Sequence, residues 1–149
     1  MKRPGENVDH PVDEEAVNRE AVALNISLRQ SEAWVRGLAG RIAGDPNSRD
    51  EVPRLLTDLC YDQEIQQWIR AQGARKDHFY LGSENIRRTC DRLIVLLGGG
   101  RELSLLLDWA NFRIVFDDSG MRIRRIENKF PQFPPDFNKI AAFNLRLRG

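Results

Sequence analysis

The sequence predicts a predominantly α-helical α+β fold, in which an N-terminal helical bundle is followed by a helix pair and a C-terminal β-hairpin. Apolar residues recur at helical spacing from Val17 to Trp109, and from Phe112 onwards they alternate with polar residues as in a β-strand. With 149 residues, of which 41% are hydrophobic and 30% charged, the chain has the composition of a globular domain. It is also long enough to bury one core without a metal or a disulfide.

The charge distribution divides the chain into two parts. Residues 1–69 hold 8 Lys and Arg against 13 Asp and Glu, and residues 70–149 hold 15 against 9. We expect a flexible arm over 1–11 and a single globular domain over 12–149. That domain has an acidic helical part (12–73) and a basic part (74–149) containing the helix pair, the hairpin 112–126 and a tail rich in Pro and Phe.

The first helix begins near Val12 and ends at the Gly44-Asp45-Pro46 sequence. Its apolar stripe has spacings of 7, 4, 7, 3 and 4, and comprises Val17, Leu24, Leu28, Val35, Leu38 and Ile42. A break near Ser31 or Gly37 is one alternative. Because the repeat lasts about three heptads, a homodimer through this helix is another, although packing on its own domain is favoured.

Two shorter helices complete the acidic part. The sequence from Ser48 to Glu51 matches a capping box, so the second helix is expected to begin with Ser48 as its N-cap and to bury Val52, Leu55, Leu56 and Leu59. Asp62 can cap a third helix that buries Ile65, Trp68 and Ile69 and ends before Gly73.

The helix pair surrounds the triple glycine 98–100. A short strand is expected at 78–81, Ser83 caps the next helix, and that helix buries Ile86, Cys90, Leu93, Ile94 and Leu97. A further helix covers 101–109. Residues 93–100 allow two interpretations: the end of a helix with a turn, or a strand and a glycine loop that would hold a nucleotide phosphate at the following helix.

The hairpin is predicted from alternation on both sides of a turn. Phe112, Ile114 and Phe116 alternate with Arg113 and Val115, residues 117–120 are turn formers, and Met121 and Ile123 continue the alternation. Three prolines make 129–135 extended. Asp136 can cap a last helix, but residues 143–148 also alternate like a strand, and the sequence leaves both alternatives open.

Several functional classes are disfavoured by composition. No apolar run approaches the roughly 18 residues of a membrane helix, and no signal peptide is recognisable, so an intracellular, cytoplasmic location is expected, with the nucleus not excluded. Two cysteines and two histidines support neither a metal site nor a cofactor. A Cys–His dyad of His78 with Cys60 or Cys90 is disfavoured because both cysteines lie on apolar helix faces. We therefore assign no catalytic residues.

The candidate macromolecule-binding residues are the basic ones of the hairpin and its exit: Arg113, Arg122, Arg124, Arg125 and Lys129. The hypothesis they support is a non-enzymatic protein-interaction module, adaptor or regulatory, with an acidic helical face and a basic hairpin face. If Trp34, Trp68 or Trp109 is exposed, its side chain would also serve as an apolar anchor for a partner. The alternatives are RNA or DNA binding through the hairpin arginines, and nucleotide binding through the triple glycine.

Overall fold

The protein is predominantly helical, as predicted. The computed structural model describes residues 13–70, 84–116, 123–130 and 133–148. The predicted arm 1–11, the predicted strand 78–81, Ser83 and the predicted turn 117–120 lie outside the described residues. The elements are α1 (Glu14–Ala43), α2 (Pro46–Cys60), α3 (Gln63–Arg70), α4 (Glu84–Leu97), α5 (Gly100–Trp109), β1 (Arg113–Phe116), β2 (Ile123–Glu127) and α6 (Phe137–Leu147).

Helix α1 is one continuous helix of 30 residues, so the alternative of a break near Ser31 or Gly37 is wrong. Asp13 caps it by accepting a hydrogen bond from the Ala16 amide at 3.2 Å. The buried residues of α1 all lie near its C-terminal end: Val35, Leu38, Ala39 and Ile42. The last three members of the predicted apolar stripe therefore pack on the core of their own chain.

Helix α2 begins earlier than the capping-box motif predicts. Its N-cap is Asp45, whose carboxylate accepts from the Asn47 amide (3.1 Å) and from the Ser48 hydroxyl (2.9 Å). Pro46 occupies the first turn, where a missing amide hydrogen has no cost and the fixed φ suits a helix. The prediction of Ser48 as N-cap is thus wrong, and Glu51 is available to pair with Arg92 of α4, at 2.7 and 2.9 Å.

Helix α3 begins directly after Asp62, whose carboxylate accepts from the Glu64 amide at 2.8 Å. The predicted cap is therefore confirmed. Ile65 is buried, as predicted. The side chains of Trp68 and Ile69 lie outside the described residues.

Residues 93–97 are the last turn of α4, so the helix-end interpretation of 93–100 is confirmed. The chain turns at Gly98 (φ +98°) and Gly99 (φ +152°), conformations that favour glycine. Arg41 of α1 donates to the Leu97 carbonyl at 2.7 Å, which places a cation at the negative end of α4. The second glycine precedes α5 and serves as its N-cap.

Strands β1 and β2 form an antiparallel ladder that continues from α5. Arg113 lies opposite Glu127, Ile114 opposite Ile126 and Val115 opposite Arg125, and the register shifts between Val115 and Phe116. Phe112 and Ile114 are buried, which agrees with the predicted apolar face. The ring of Phe112 packs edge-on against Phe137 of α6 at a centroid distance of 5.4 Å.

Asn111 holds the chain that leads from the ladder to α6. It adopts a left-handed conformation (φ +63°), and its side-chain amide donates to the carbonyls of Phe130, Phe133 and Pro134 at 3.3, 2.9 and 3.2 Å. Its side-chain oxygen accepts from the Phe130 amide at 2.7 Å. We call Asn111 and these bonded residues the tail clamp. It fixes the proline-containing tail against α5.

Helix α6 begins after Asp136, as predicted, and runs through Leu147. The strand alternative for 143–148 is therefore wrong. The physical reason is that Ile140, Phe143 and Leu147 all point to the core at helical spacing, and all three are buried. Helix α6 packs beside α2, and the two helices form the walls of the site described next.

Candidate partner-binding groove

Two of the candidate hairpin residues are already engaged within the chain. Arg113 donates to Asp108 at 3.3 Å and lies 3.9 Å from Glu127. Lys129 donates to the Ser27 hydroxyl at 3.2 Å, and its ammonium lies 5.6 Å from the centre of the Phe130 ring. Both side chains therefore tie parts of the fold together. They are poorly placed to bind a partner without giving up these contacts.

The other three predicted site residues are only partly placed by the structure. The backbones of Arg124 and Arg125 belong to β2, with Arg125 opposite Val115 in the ladder. Their side chains, and the whole of Arg122, lie outside the described residues. Of the candidate tryptophan anchors, Trp109 is buried and Trp34 is half-buried against the core.

A different surface offers a concave site, on the outer face of α2. Its central feature is a cavity of about 270 Å³ between α2 and α6, which we call the α2–α6 cavity. The walls combine apolar side chains with a few polar ones: Thr57, Cys60, Tyr61, Phe137, Ile140, Ala141, Asn144, Leu145 and Arg148. Such a mixture is typical of binding sites, in which apolar walls supply contact area and a few polar groups fix orientation.

Two large apolar side chains stand exposed at the rim of this cavity. Tyr61 is 69% exposed and Leu145 is 67% exposed, although both line the same cavity. Single exposed apolar residues are ordinary on protein surfaces, but two that flank one apolar cavity form a patch. Burying them against a partner would contribute roughly 25 cal/mol for each Å² removed from water.

Asn144 joins the two walls of the cavity. Its side-chain amide nitrogen donates to the Pro53 carbonyl at 3.3 Å and to the Thr57 hydroxyl at 3.4 Å. Because a carbonyl oxygen only accepts, the Pro53 contact fixes which end of the Asn144 amide faces α2. The Asn144 side-chain oxygen is shielded from water and has no hydrogen-bond partner.

A second cavity, of about 360 Å³, adjoins the first and is lined by charged groups. It contains Arg49, Asp50, Pro53, Arg54, Thr57, Asp58 and Arg148, so that Thr57 and Arg148 belong to both cavities. None of the three arginines forms an ion pair within the described part of the chain. Three arginines beside two aspartates leave a cationic excess next to the apolar patch.

A third cavity, of about 400 Å³, lies between the C-terminal end of α2 and helix α4. Thr57 and Tyr61 line it together with the polar residues Asp58, Asp62, Asn85, Arg88 and Thr89. Thr57 therefore lies where all three cavities meet. The outer face of α2 thus offers an apolar surface on one side and a polar one on the other.

The groups in this region suit binding better than covalent chemistry. Cys60 lines the α2–α6 cavity, but its burial raises the pKa of its thiol to about 12, and burial raises the pKa of Cys90 to about 12 as well. At neutral pH both are therefore protonated and weakly nucleophilic. Among the described residues, no three His, Cys, Asp or Glu side chains converge as a metal site would require.

Only an indirect signal in the sequence points to this surface. Tyr61 is a large apolar residue that directly follows α2, and Leu145 lies off the buried stripe of α6, which is the pattern expected of exposed contacts. Asn144 could not be singled out, because the sequence left open whether residues 143–148 form a helix or a strand. The pairing of α2 with α6 brings together residues that are more than 80 positions apart.

Comparison of the chain with models of known protein families, with curated proteins and with solved structures finds no match. Within the described ranges, no helix has the length and apolar character needed to cross a bilayer.

Proposed function

We propose that this protein is a non-enzymatic protein-interaction module that binds an acidic segment of a partner along α2 and α6. The partner inserts one apolar side chain into the α2–α6 cavity and directs carboxylates towards Arg54 and Arg148. The observation that carries the proposal is the exposure of Tyr61 and Leu145 at the rim of one apolar cavity. This combination of an apolar anchor site with a charged rim is the usual anatomy of a protein interface.

The charge of the rim argues for an acidic partner. Arg148 lines both the apolar and the charged cavity, so a chain that fills the first comes within reach of the second. The planar guanidinium group suits bidentate contacts to a carboxylate. Since Arg49, Arg54 and Arg148 form no ion pair within the described residues, binding would not break an existing one.

The size of the cavity argues for one side chain as its occupant. Pockets that enclose a small molecule begin at about 300 Å³, and the α2–α6 cavity falls slightly below that size. Its floor is closed by buried core residues such as Cys60 and Ile140. A side chain projecting from a partner would fill this space and leave its backbone outside, against Tyr61 and Leu145.

The two alternative functions have less support. Nucleic-acid binding through the hairpin would have to depend on Arg122, Arg124 and Arg125, because Arg113 and Lys129 have intramolecular partners. Nucleotide binding at the triple glycine is opposed by local geometry, since the amides of Gly98 and Gly99 already donate to the Ile94 carbonyl at 3.2 and 2.8 Å. A carboxylate oxygen of Glu102 also lies beside Gly99, close to where a phosphate would bind.

Selection of peptides from a random display library tests the proposal. Ala141 and Ala142 are neighbouring exposed residues of α6, but only Ala141 lines the cavity, so Ala141→Trp fills the cavity and Ala142→Trp is a matched control. We expect the unmodified protein and Ala142→Trp to select the same peptides, with a large apolar residue beside Asp or Glu. Ala141→Trp should not enrich them. Enrichment of the same peptides by Ala141→Trp, or of basic peptides by the unmodified protein, would contradict the proposal.

A further inference from the structure

The outward face of α1 carries a pair of exposed apolar side chains. Val22 is 59% exposed and Ile26 is 50% exposed. They lie about one turn apart and, at 3.6 residues per turn, on the side of the helix opposite the buried Val35, Leu38 and Ile42. Among the large apolar side chains that are exposed in the described part of the chain, they are the only two that share a helix.

The first two thirds of α1 contain no buried side chain. Burial begins at Val35, so the side chains of residues 14–34 are all half-buried or exposed, over about 30 Å of helix at 1.5 Å per residue. Most of the stability of a helix in a protein comes from packing of its apolar residues rather than from helix propensity. A surface that packs along this part of α1 would therefore stabilise it.

The charges of α1 change sign along its length. The first half, residues 14–28, holds three glutamates and one arginine, and the second half, residues 29–43, holds three arginines and one glutamate. Two antiparallel copies of this helix would place each acidic half against a basic half, whereas two parallel copies would place like charges together. The helix macrodipoles favour the antiparallel orientation as well.

We propose that two copies of this protein associate through the outward face of α1, with the two helices antiparallel. The contact is isologous, and Val22 of each copy packs against Ile26 of the other, so that four apolar side chains form its centre. The apolar stripe that the sequence offers for a homodimer is a different surface, since its last three members are buried in the core of their own chain. Neither Val22 nor Ile26 lines the α2–α6 cavity, so this inference does not rest on the proposed function.

The same register brings opposite charges together at both ends of the contact. Glu15 of one copy lies opposite Ala33 of the other, one turn from Arg29 and Arg36, and all four positions are exposed. Arg29 forms no ion pair with a described residue. The ion pairs that Glu15 and Arg36 form within α1 are largely exposed, so exchanging them for pairs across the contact costs little.

Sedimentation equilibrium of the full chain tests the association. Because the contact is one helix wide and interfaces below about 1,200 Å² are typical of transient complexes, we expect a weak dimer. The average mass should rise from that of one chain towards that of two as the concentration increases to about 1 mM.

Two valines provide matched variants. Val22→Lys puts an ammonium group into the centre of the contact and should weaken association at least about tenfold. Val95→Lys makes the same change at a valine of α4 that is 67% exposed, and should change it by less than about twofold. The mass of a single chain at every concentration, or equal association of the two variants, would overturn the inference. Neither result bears on the α2–α6 cavity, which the peptide selection tests separately.

Disulfide cross-linking tests the orientation. Cys60 and Cys90 are buried, so cysteines introduced by Glu15→Cys and Ala33→Cys are the exposed thiols. A disulfide needs Cα atoms within about 7 Å, and the proposed register separates the two copies of residue 15 by about 27 Å along the helix axis. A mixture of the two variants should therefore form a mixed disulfide dimer, and neither variant should cross-link with itself. Self-cross-linking of Glu15→Cys, or no cross-linking in the mixture, would overturn the antiparallel contact.

Discussion

The tail clamp and the α2–α6 cavity use the same type of side chain in opposite ways. At the clamp, every polar atom of the Asn111 side chain has a partner, and the amide alone donates to three carbonyls. At the cavity, the nitrogen of Asn144 is engaged and its oxygen is not. The basic groups differ similarly. Near the clamp, Arg113 forms ion pairs and Lys129 forms a hydrogen bond within the chain. Beside the cavity, Arg54 and Arg148 form no ion pair with described residues.

This difference separates residues that hold the fold from residues that remain available to a partner. In the sequence, the predicted hairpin is the obvious candidate for binding, because basic residues are concentrated in it and in its exit. In the structure, the described members of that group connect the ladder to α5 and to α1. Among the described residues, Arg54, which forms no ion pair, and Asn144, whose side-chain oxygen has no hydrogen-bond partner, lie on α2 and α6, two helices whose sequences look ordinary.

The largest effect is expected at the clamp. Asn111→Ala removes four hydrogen bonds and forces alanine into a left-handed conformation, so we expect a loss of about 3 kcal/mol in the free energy of unfolding, measured with urea. Asn111→Gly keeps the conformation accessible and should lose less. Asn138→Ala, an exposed asparagine of α6, serves as the control and should change stability by less than about 0.5 kcal/mol. A clamp variant as stable as that control would show that the fold does not depend on the clamp.

The second effect tests whether the floor of the cavity is packed. Because burial raises the pKa of Cys60 to about 12, the unfolded chain loses this thiol proton first as the pH rises above 9, and the native state is disfavoured. Stability from this source is therefore complete below pH 9 and falls between pH 9 and 12, by about 1 kcal/mol from pH 9 to 10. Urea unfolding at pH 8, 9 and 10 should show a fall that is smaller in Cys60→Ala. An identical fall in this variant would mean that water reaches the Cys60 thiol at the floor of the cavity.

A third comparison concerns the arginines. Arg54→Ala and Arg148→Ala should leave the free energy of unfolding within about 0.5 kcal/mol of the unmodified protein, because neither side chain holds an ion pair with a described residue. Arg113→Ala should lower it by up to about 1 kcal/mol, a modest value because this ion pair is partly solvated. The double variant of Arg54 and Arg148 should instead weaken binding of a selected acidic peptide severalfold in calorimetric titration. The opposite pattern, with stability lost at Arg54 and Arg148 but unchanged at Arg113, would mean that the arginines beside the cavity hold the fold and Arg113 does not.

The smallest effect lies on the other side of α2, where Glu51 pairs with Arg92. The hydrogen bond from Arg92 lowers the pKa of Glu51 below its ordinary value of 4.5. The stabilisation it gives is therefore present above about pH 4.5 and is lost as the pH falls below that value. Arg92→Gln should lower the melting temperature slightly at pH 7, and this difference should shrink as the pH falls below 4.5. A difference that stays the same size at every acidic pH would assign the effect to packing of the Arg92 side chain.

The sequence predicted most of the helices but not the site. Stripes such as Ile140, Phe143 and Leu147 are periodic, and caps such as Asp62 and Asp136 depend on neighbouring residues, so both can be read locally. The start of α2 was misplaced because Asp45 and Pro46 form a better helix start than Ser48. The cavity depends on which helix packs beside α2, and the contact between Asn144 and Pro53 joins positions 91 residues apart. Local patterns carry no information on such a pairing.

The central claim is that a partner binds between α2 and α6, and the most direct test is the affinity of a selected acidic peptide for a matched set of variants. Calorimetric titration would compare the unmodified protein with Ala141→Trp and Ala142→Trp. We predict at least a tenfold loss of affinity in Ala141→Trp and a change of less than about twofold in Ala142→Trp, since only the first fills the cavity and one tenfold step is about 1.4 kcal/mol of contact energy. Equal affinity for both variants would contradict the claim, because the peptide would then bind elsewhere.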